Sequence, residues 1–553
     1  ILYTKLLQES IIYNIYMKFF SHLFHLGQKK QQSILSASLV LGITFAISAV
    51  LGFLRSRFLY AEFFKCCADQ LDVYNAAFRL PDLIFKLLVT GALSASFIPV
   101  FSSYLHKDKD KAYQIASSVI NILAVIFIIA SIVVLIFTRP LTQLIAAGFS
   151  PVQLDLMVNL TRILLIAQVF FLVSNFLTAI LQVNQIFIIP ALSPIIYNLC
   201  IIISIFILAP TFGIYGVVYG AVIGAFFHLV IQIPAVKNNG FKYSFTINRH
   251  LSGVKEVFRL MVPRSLSLGL GEIENTVTLF FASSLPIGSI SLLNLALQLM
   301  YLPSRIFGTT VGQASLPILS KNIAANELDN FRRTVSNILL QSLFIALPVA
   351  VLVLVERVPI IRLLFGSQNF PWTATLTTAR ILALLTPAIV CQAIIQILIR
   401  SFYALHNTKI PFKVSFVSLL TNITVSFILI NFTNLGVLGL AISSTITNII
   451  QMLGLFYFFI KIVDGFDWVQ TLRRLNKMLL ASLLMGLSTW LSLKFLDLFV
   501  LDTTRTIALG LVFSASSLIG IIIYIFVSDL LNINEINDYK KYFNKFKRFV
   551  FRK

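Results

Sequence analysis

The sequence predicts an all-α polytopic membrane protein with about 14 transmembrane helices. These form two six-helix lobes in a parallel pseudo-twofold repeat, plus two extra C-terminal helices. Three observations carry that prediction. Hydrophobic residues make up 58% of the chain and mean hydropathy is +0.91, where soluble domains run at roughly 45–50% apolar. Apolar runs of about 20 residues recur along the chain, each closed by polar residues or by Pro and Gly. A membrane barrel would alternate instead, over segments of about ten residues. Finally, the two halves of the chain share an ordered series of matched positions.

Taken in order, residues 1–33 form an N-terminal segment that starts at Ile1, and Met17 reads as a possible true start. Lys29 and Lys30 precede the first apolar run, and no small-residue cleavage site follows it, so it reads as a retained helix rather than a signal peptide. The first lobe, 34–236, holds spans at 34–54, 73–104, 115–137, 158–181, 186–209 and 213–236. A linker follows at 237–255. The second lobe, 256–460, holds spans at 256–283, 287–318, 334–355, 376–401, 410–430 and 436–460. Two further spans, 475–498 and 506–528, precede a basic tail at 529–553. The second, seventh and eighth spans are long and broken by Pro, Gly and charge, as helices lining a cavity are.

The net charge of +22 does not point to nucleic acid, because most Lys and Arg sit in short loops and in the tail. That is the distribution of orientation signals and of contacts with anionic headgroups. Lys29, Lys30, Lys107, Lys109, Lys111 and the linker and tail cations fall on one side, while the loops at 210–212, 284–289 and 431–435 carry no Lys or Arg. Positive-inside then places both termini in the cytoplasm, and an even number of spans agrees.

The repeat is read from offsets. Pro99 and Pro317, Arg139 and Arg357, and Arg162 and Arg380 each differ by 218; Pro190 and Pro411 differ by 221. Gly213-x-x-Gly216 and Gly436-x-x-Gly439 differ by 223. A slowly growing offset in constant order is a duplication, and six spans per unit give both units one orientation.

The stretch Leu71–Leu105 carries Asp72, Arg79, Asp82 and Lys86 within a helical arc of about 80°. Ionisable groups at membrane depth need a partner or a wet cavity. Arg55 and Arg57 close the first span, Arg264, Glu272 and Glu274 lie in the seventh, and Arg305 lies in the eighth. These spans are repeat equivalents, so Arg55, Asp72, Arg79, Lys86, Arg264 and Arg305 are candidates for lining an anion-binding cavity, arginine forks being suited to phosphate oxygens. Blander readings stand beside this one: Arg55 and Arg57 as snorkelling side chains, Asp82–Lys86 or Arg264–Glu272 as internal ion pairs, and Arg162 and Arg380 as structural mates. Nothing reads as an enzyme. There is no catalytic constellation, no P-loop and no metal-ligand spacing, and Cys66, Cys67, Cys200 and Cys391 suggest no disulfide framework.

Several segments together resemble the MurJ (MviN) family of lipid II flippases, within the multidrug/oligosaccharidyl-lipid/polysaccharide exporter superfamily. They are VLGFLR (50–55), LDVYNAAFRLPDLIF (71–85), GALSASFIPVF (91–101), LQVNQIFIIPALSPIIYN (181–198), LPSRIFGTTVGQASLPILS (302–320) and RSFYALHNTKIP (400–411). The resemblance implies a fourteen-helix fold whose last two helices form a lipid-side groove. It also implies a substrate, undecaprenyl-pyrophosphate carrying a disaccharide-pentapeptide, with the pyrophosphate held by basic cavity residues. The chain departs from the family pattern at Ser56, Ala49, Phe85 and Gln298, where acidic or basic residues are frequent. Alternating access driven by the membrane potential or an ion gradient follows as the expected mechanism. Glu272, Glu274 and Asn422 are candidates for a site coupling Na+ or H+, with no other cofactor. The expected location is the bacterial cytoplasmic membrane, with membrane lipids and cell-wall synthesis enzymes as further partners. The rival readings are a flippase for another polyprenyl-linked oligosaccharide, a drug exporter of the same superfamily, and a non-transporting cell-wall scaffold.

Overall fold

In the computed structural model the apolar runs are helices, and no strand occurs among the described residues, which are 34–465, 468–503 and 505–536. Residues 1–33, with Met17, and the tail beyond 536 lie outside them. Twelve helices among the described residues are long and apolar enough to cross a bilayer. The difference from fourteen has two sources. The first two spans run together as Gly42–Thr90, and Ser252–Ser283 is a 32-residue helix whose charges and glycines dilute its apolar character.

The first helix, α1 (Ile34–Ala77), corrects the sequence reading at one point. A loop is expected between residues 54 and 73, yet the chain stays helical through Arg55, Arg57, Glu62 and Lys65 and bends only at Cys67 (φ −148°, ψ 48°). Arg, Glu and Lys are good helix formers, so polarity alone does not break a helix. Cys66 and Cys67 are joined as a vicinal disulfide at this bend. It links neighbours and is no framework.

The chain divides into two compact units, Ile1–Glu272 and Ile273–Lys553. The first contains α2 (Arg79–Phe85), π turns at Lys86–Thr90 and Leu93–Phe97, α3 (Ile98–Leu105), α4 (Lys109–Ile136), α5 (Thr138–Ile145) and α6 (Pro151–Val183). It continues with α7 (Ile188–Ile207), α8 (Ala209–Phe212), α9 (Ile214–Val230), α10 (Ile233–Asn238) and most of α11 (Ser252–Ser283). Ser150 caps α6 reciprocally with Gln153, and Asp108 caps α4 through Lys111 N–H at 3.0 Å. The core of this unit gathers Phe97, Phe101, Phe127 and Phe176 between α3, α4 and α6.

The second unit contains α12 (Ser289–Ser304), a π turn at Arg305–Thr310, α13 (Val311–Ala324), α14 (Leu328–Val355), α15 (Arg357–Phe365) and α16 (Trp372–Ala404). Then come α17 (Lys409–Phe432), α18 (Val437–Ile462), α19 (Trp468–Phe499) and α20 (Thr506–Leu530). The last two are the helices outside the repeat. They pack on α14 through Met478, Met485 and Tyr524 against Leu340, Phe344 and Leu347.

The duplication is written into the backbone as well as the residues. Gly213 and Gly436 both take positive φ, 58° and 54°, just before α9 and α18. Gln185 and His406, 221 apart, do so at 62° and 55°, in the turns before α7 and α17. Left-handed conformations are uncommon outside glycine, so their recurrence at the repeat offset marks equivalent turns. The π turns at 86–90 and 305–310 recur in the same way.

Candidate functional site

The charged face of α2 leads into the first π turn, and the turn begins at Lys86 itself. One extra residue per turn realigns the side chains beyond it, and π segments are common at functional positions. Lys86 Nζ meets Glu272 Oε1 of α11 at 2.8 Å, with side-chain exposures of 41% and 13%. The i, i+4 neighbour Asp82 is engaged elsewhere: its Oδ1 accepts from Gln168 Nε2 of α6 at 2.9 Å. Arg79, Lys86 and Glu272 all lie within electrostatic reach of Asp82. The Arg79 Nε is buried without a hydrogen-bond partner. The first unit thus holds a row of alternating charges: Arg79, Asp82, Lys86 and Glu272.

Close approach of α11 to this helix depends on Gly91. A Cβ there would lie 2.1 Å from Ser265 Oγ and 3.1 Å from Ser265 Cα. Across the bend, Ala77 O accepts from Thr161 Oγ1 of α6 at 3.2 Å, which fixes the start of α2. Arg55 is partly buried and donates from Nη1 to Asn198 Oδ1 of α7 at 3.1 Å. Asn198 in turn donates toward Ser48 O at 3.3 Å. A protein-held guanidinium is not a snorkelling one. Asp72 is almost wholly buried.

Arg305 is exposed at the start of its π turn in the second unit, and the side chain of Arg264 lies outside the described residues. Glu272 and Glu274 are two positions apart on one helix, so they face different ways. Glu272 already serves Lys86.

Asn422, the third coupling-ion candidate, sits in a hydroxyl ladder between α17 and α18. Its Nδ2 donates to Thr447 Oγ1 at 3.4 Å, and its backbone carbonyl accepts from Ser443 Oγ at 3.2 Å. Ser426 bonds Ser443 at 2.8 Å and Ser418 bonds Thr447 O at 3.3 Å. The buried Asn422 Oδ1 has no partner. The donor set is all oxygen, which suits a hard monovalent cation and not a transition metal. No group of three or more His, Cys, Asp or Glu that could hold a metal occurs among the described residues.

Sequence reasoning missed Gln168 and Asn198, the amides that hold Asp82 and Arg55. A lone amide inside an apolar span was the available signal.

A sequence profile described as "Lipid II flippase MurJ" matches residues 67–510, most of the chain. The chain belongs to the MurJ family. A Bdellovibrio bacteriovorus protein named "Probable lipid II flippase MurJ" is 27% identical over 517 residues, covering 92% of this chain and 97% of its own. A solved structure, "Lipid II flippase MurJ, inward closed conformation", superposes with a TM-score of 0.74 at 28% identity, over 90% of this chain and 100% of the other. An inward-facing multidrug transporter of the MATE family in the MOP superfamily has a TM-score of 0.62 at 14% identity, over 76% of this chain and 98% of its own, a likeness of fold alone. The MurJ family is one of transporters, and this chain is a multi-pass membrane protein of that fold.

Proposed function

We propose that this protein flips lipid II across the bacterial cytoplasmic membrane by alternating access, with both termini in the cytoplasm. The observation that carries the reading is the Lys86–Glu272 pair, its half-exposed lysine standing at the start of a π turn. An ammonium paired to a carboxylate is held in place while the site is empty, and a pyrophosphate offers it a stronger acceptor. Arg55 and Arg79 supply further cations on the same helical run, with Asp72 and Asp82 limiting the excess charge. Arg264 and Arg305 are proposed as their counterparts later in the chain.

The hydroxyl ladder around Asn422 is proposed as the place where a coupling Na+ binds, its carbonyl oxygen being the unpartnered acceptor. Glu272 serves the coupling through its bond to Lys86, and Glu274 remains a proton-carrying candidate. A cation crossing the membrane potential supplies about 2.3 kcal/mol per 100 mV, enough to bias a two-state cycle.

Complementation of a bacterium depleted of its own lipid II flippase tests this reading. The wild-type chain restores growth, and Lys86→Ala and Arg55→Ala lower flipping in vesicles at least tenfold at equal membrane abundance. A correctly inserted wild type that fails to restore growth overturns the substrate assignment. Variants that flip normally overturn the cation assignment.

A further inference from the structure

The segment 241–248, between α10 and α11, is neither helix nor free loop. It lies extended along α4 and is tied to one face of it. Ser244 N–H donates to Ser117 Oγ at 3.2 Å, and Asn121 Nδ2 donates to Ser244 O at 2.9 Å and to Thr246 O at 3.0 Å. Asn248 N–H donates to Ser118 Oγ at 3.3 Å, and the Tyr243 hydroxyl donates to Asn121 Oδ1. Ser117, Ser118 and Asn121 fall within about 100° of one another around the helix, forming a short polar stripe that the strap covers.

While alternate residues are spent on these bonds, the intervening ones are left outside. Phe245 is 88% exposed and Ile247 57% exposed, and the Phe245 ring stacks edge-on against Tyr243 at 5.0 Å. An aromatic residue so bare on an otherwise tied segment needs a covering medium. The strap's height on α4 says which one. The helix starts in a lysine-rich turn, Lys109 to Lys111, and its band of exposed apolar side chains opens at Val125 and Ile126. Asn121 lies four residues before that band, about 6 Å along the axis. A bilayer's headgroup layer is about 5–8 Å thick on each side of the hydrocarbon. Lys237, Arg249 and Lys255, all exposed, flank the strap, and the exposed Lys242 lies at its start.

We propose that this strap is an interfacial membrane anchor, seating Phe245 and Ile247 at the boundary between headgroups and acyl chains while its flanking cations bind anionic lipid phosphates. Aromatic side chains favour that layer, and basic residues favour its anionic surface. The segment joining the two repeats is then pinned both to α4 and to the bilayer. The inference is independent of the transported substrate.

A tryptophan reporter tests it. Phe245→Trp is made in a background in which Trp372, Trp468 and Trp490 are phenylalanine, and the protein is reconstituted in vesicles of phosphatidylcholine and phosphatidylglycerol. Lipid brominated near the start of the acyl chains is expected to quench the emission at least twofold, with little effect of aqueous iodide. Ile247→Trp reports independently if the first variant accumulates poorly, and His250→Trp is the water-exposed control. Asn121→Leu, which releases the strap, is expected to lower the lipid quenching of Phe245→Trp. Quenching by iodide as strong as at His250→Trp overturns the proposal. So does emission that neither quencher reaches, which would mean that protein, not lipid, covers the strap.

Discussion

At the scale of single residues, the ion pair of Lys86 and Glu272 separates holding the structure together from serving the substrate. Exposed pairs contribute about 0–1 kcal/mol, and breaking a buried one costs about 3–5 kcal/mol. With one partner half exposed and the other largely covered, Lys86→Met is expected to destabilise by about 2 kcal/mol, mostly because Glu272 is left without its cation. Adding Glu272→Gln is expected to recover more than half of that loss in thermal unfolding, yet to leave flipping as low as in the single variant. Recovery of both together would make the lysine purely structural. The charged face itself was legible in the sequence, since four ionisable residues at helical spacing need partners or a wet cavity at membrane depth. The pairing was not. Spacing suggests Asp82 with Lys86, but the helix leaves its regular register at Lys86, and Gln168 and Glu272 reach in from α6 and α11.

At the scale of elements, the repeat preserves one contact while changing its chemistry. In the first unit α7 crosses α9 at Gly220, where a Cβ would lie 1.9 Å from Ser204 Oγ and 2.3 Å from Ser204 Cβ. The equivalent crossing of α17 and α18 is made by Ser426 and Ser443, hydrogen-bonded at 2.8 Å, and Ser443 stands 223 residues after Gly220. One crossing sets a glycine against a serine, the other bonds two serines to each other, and the second also holds an unpartnered buried amide oxygen, at Asn422. Gly220→Ser is therefore expected to cost about 2–3 kcal/mol through overpacking, and Ser204→Gly in the same chain is expected to restore most of it. The reverse change, Ser443→Gly, is expected to cost only about 1 kcal/mol, the worth of one hydrogen bond. Differential scanning fluorimetry in detergent ranks the three. The offsets that revealed the duplication come from prolines, arginines and glycines, and they could not show this exchange. Gly220 and Ser443 look unrelated until the backbone places them at equivalent crossings, each in its own unit.

At the scale of the whole molecule, most spans were legible because bilayer thickness imposes a length that the sequence must meet. The run through residues 55–72 was not, since a helix can project beyond the bilayer with polar residues that read as a loop. The two helices outside the repeat were legible as an addition, but nothing in the pattern says where they dock. The structure places them on α14 and the junction that follows it: Tyr524 donates to Phe344 O at 2.6 Å, the buried Glu356 between α14 and α15 accepts from Ser516 at 2.5 Å, and Gly486 lies against Val351. A Cβ at Gly486 would stand 2.4 Å from Val351 Cγ1. Valine has one strongly preferred rotamer in a helix, so it cannot swing aside without moving the backbone. Gly486→Leu is thus expected to destabilise the protein by at least about 2 kcal/mol and to raise hydrogen exchange in α19 and α20 before that in α16. Val351→Ala is expected to rescue the milder Gly486→Ala, because it removes Cγ1, the methyl that the new Cβ meets. Leu483→Ala, three residues away and exposed on the same helix, should be near neutral in detergent. Unchanged stability and exchange in Gly486→Leu would show that α19 does not lie on α14 at this point. Beside the apolar seat of Met478, Met485 and Tyr524 on Leu340, Phe344 and Leu347, this glycine contact and these two buried hydrogen bonds are where a single substitution is expected to loosen the added helices.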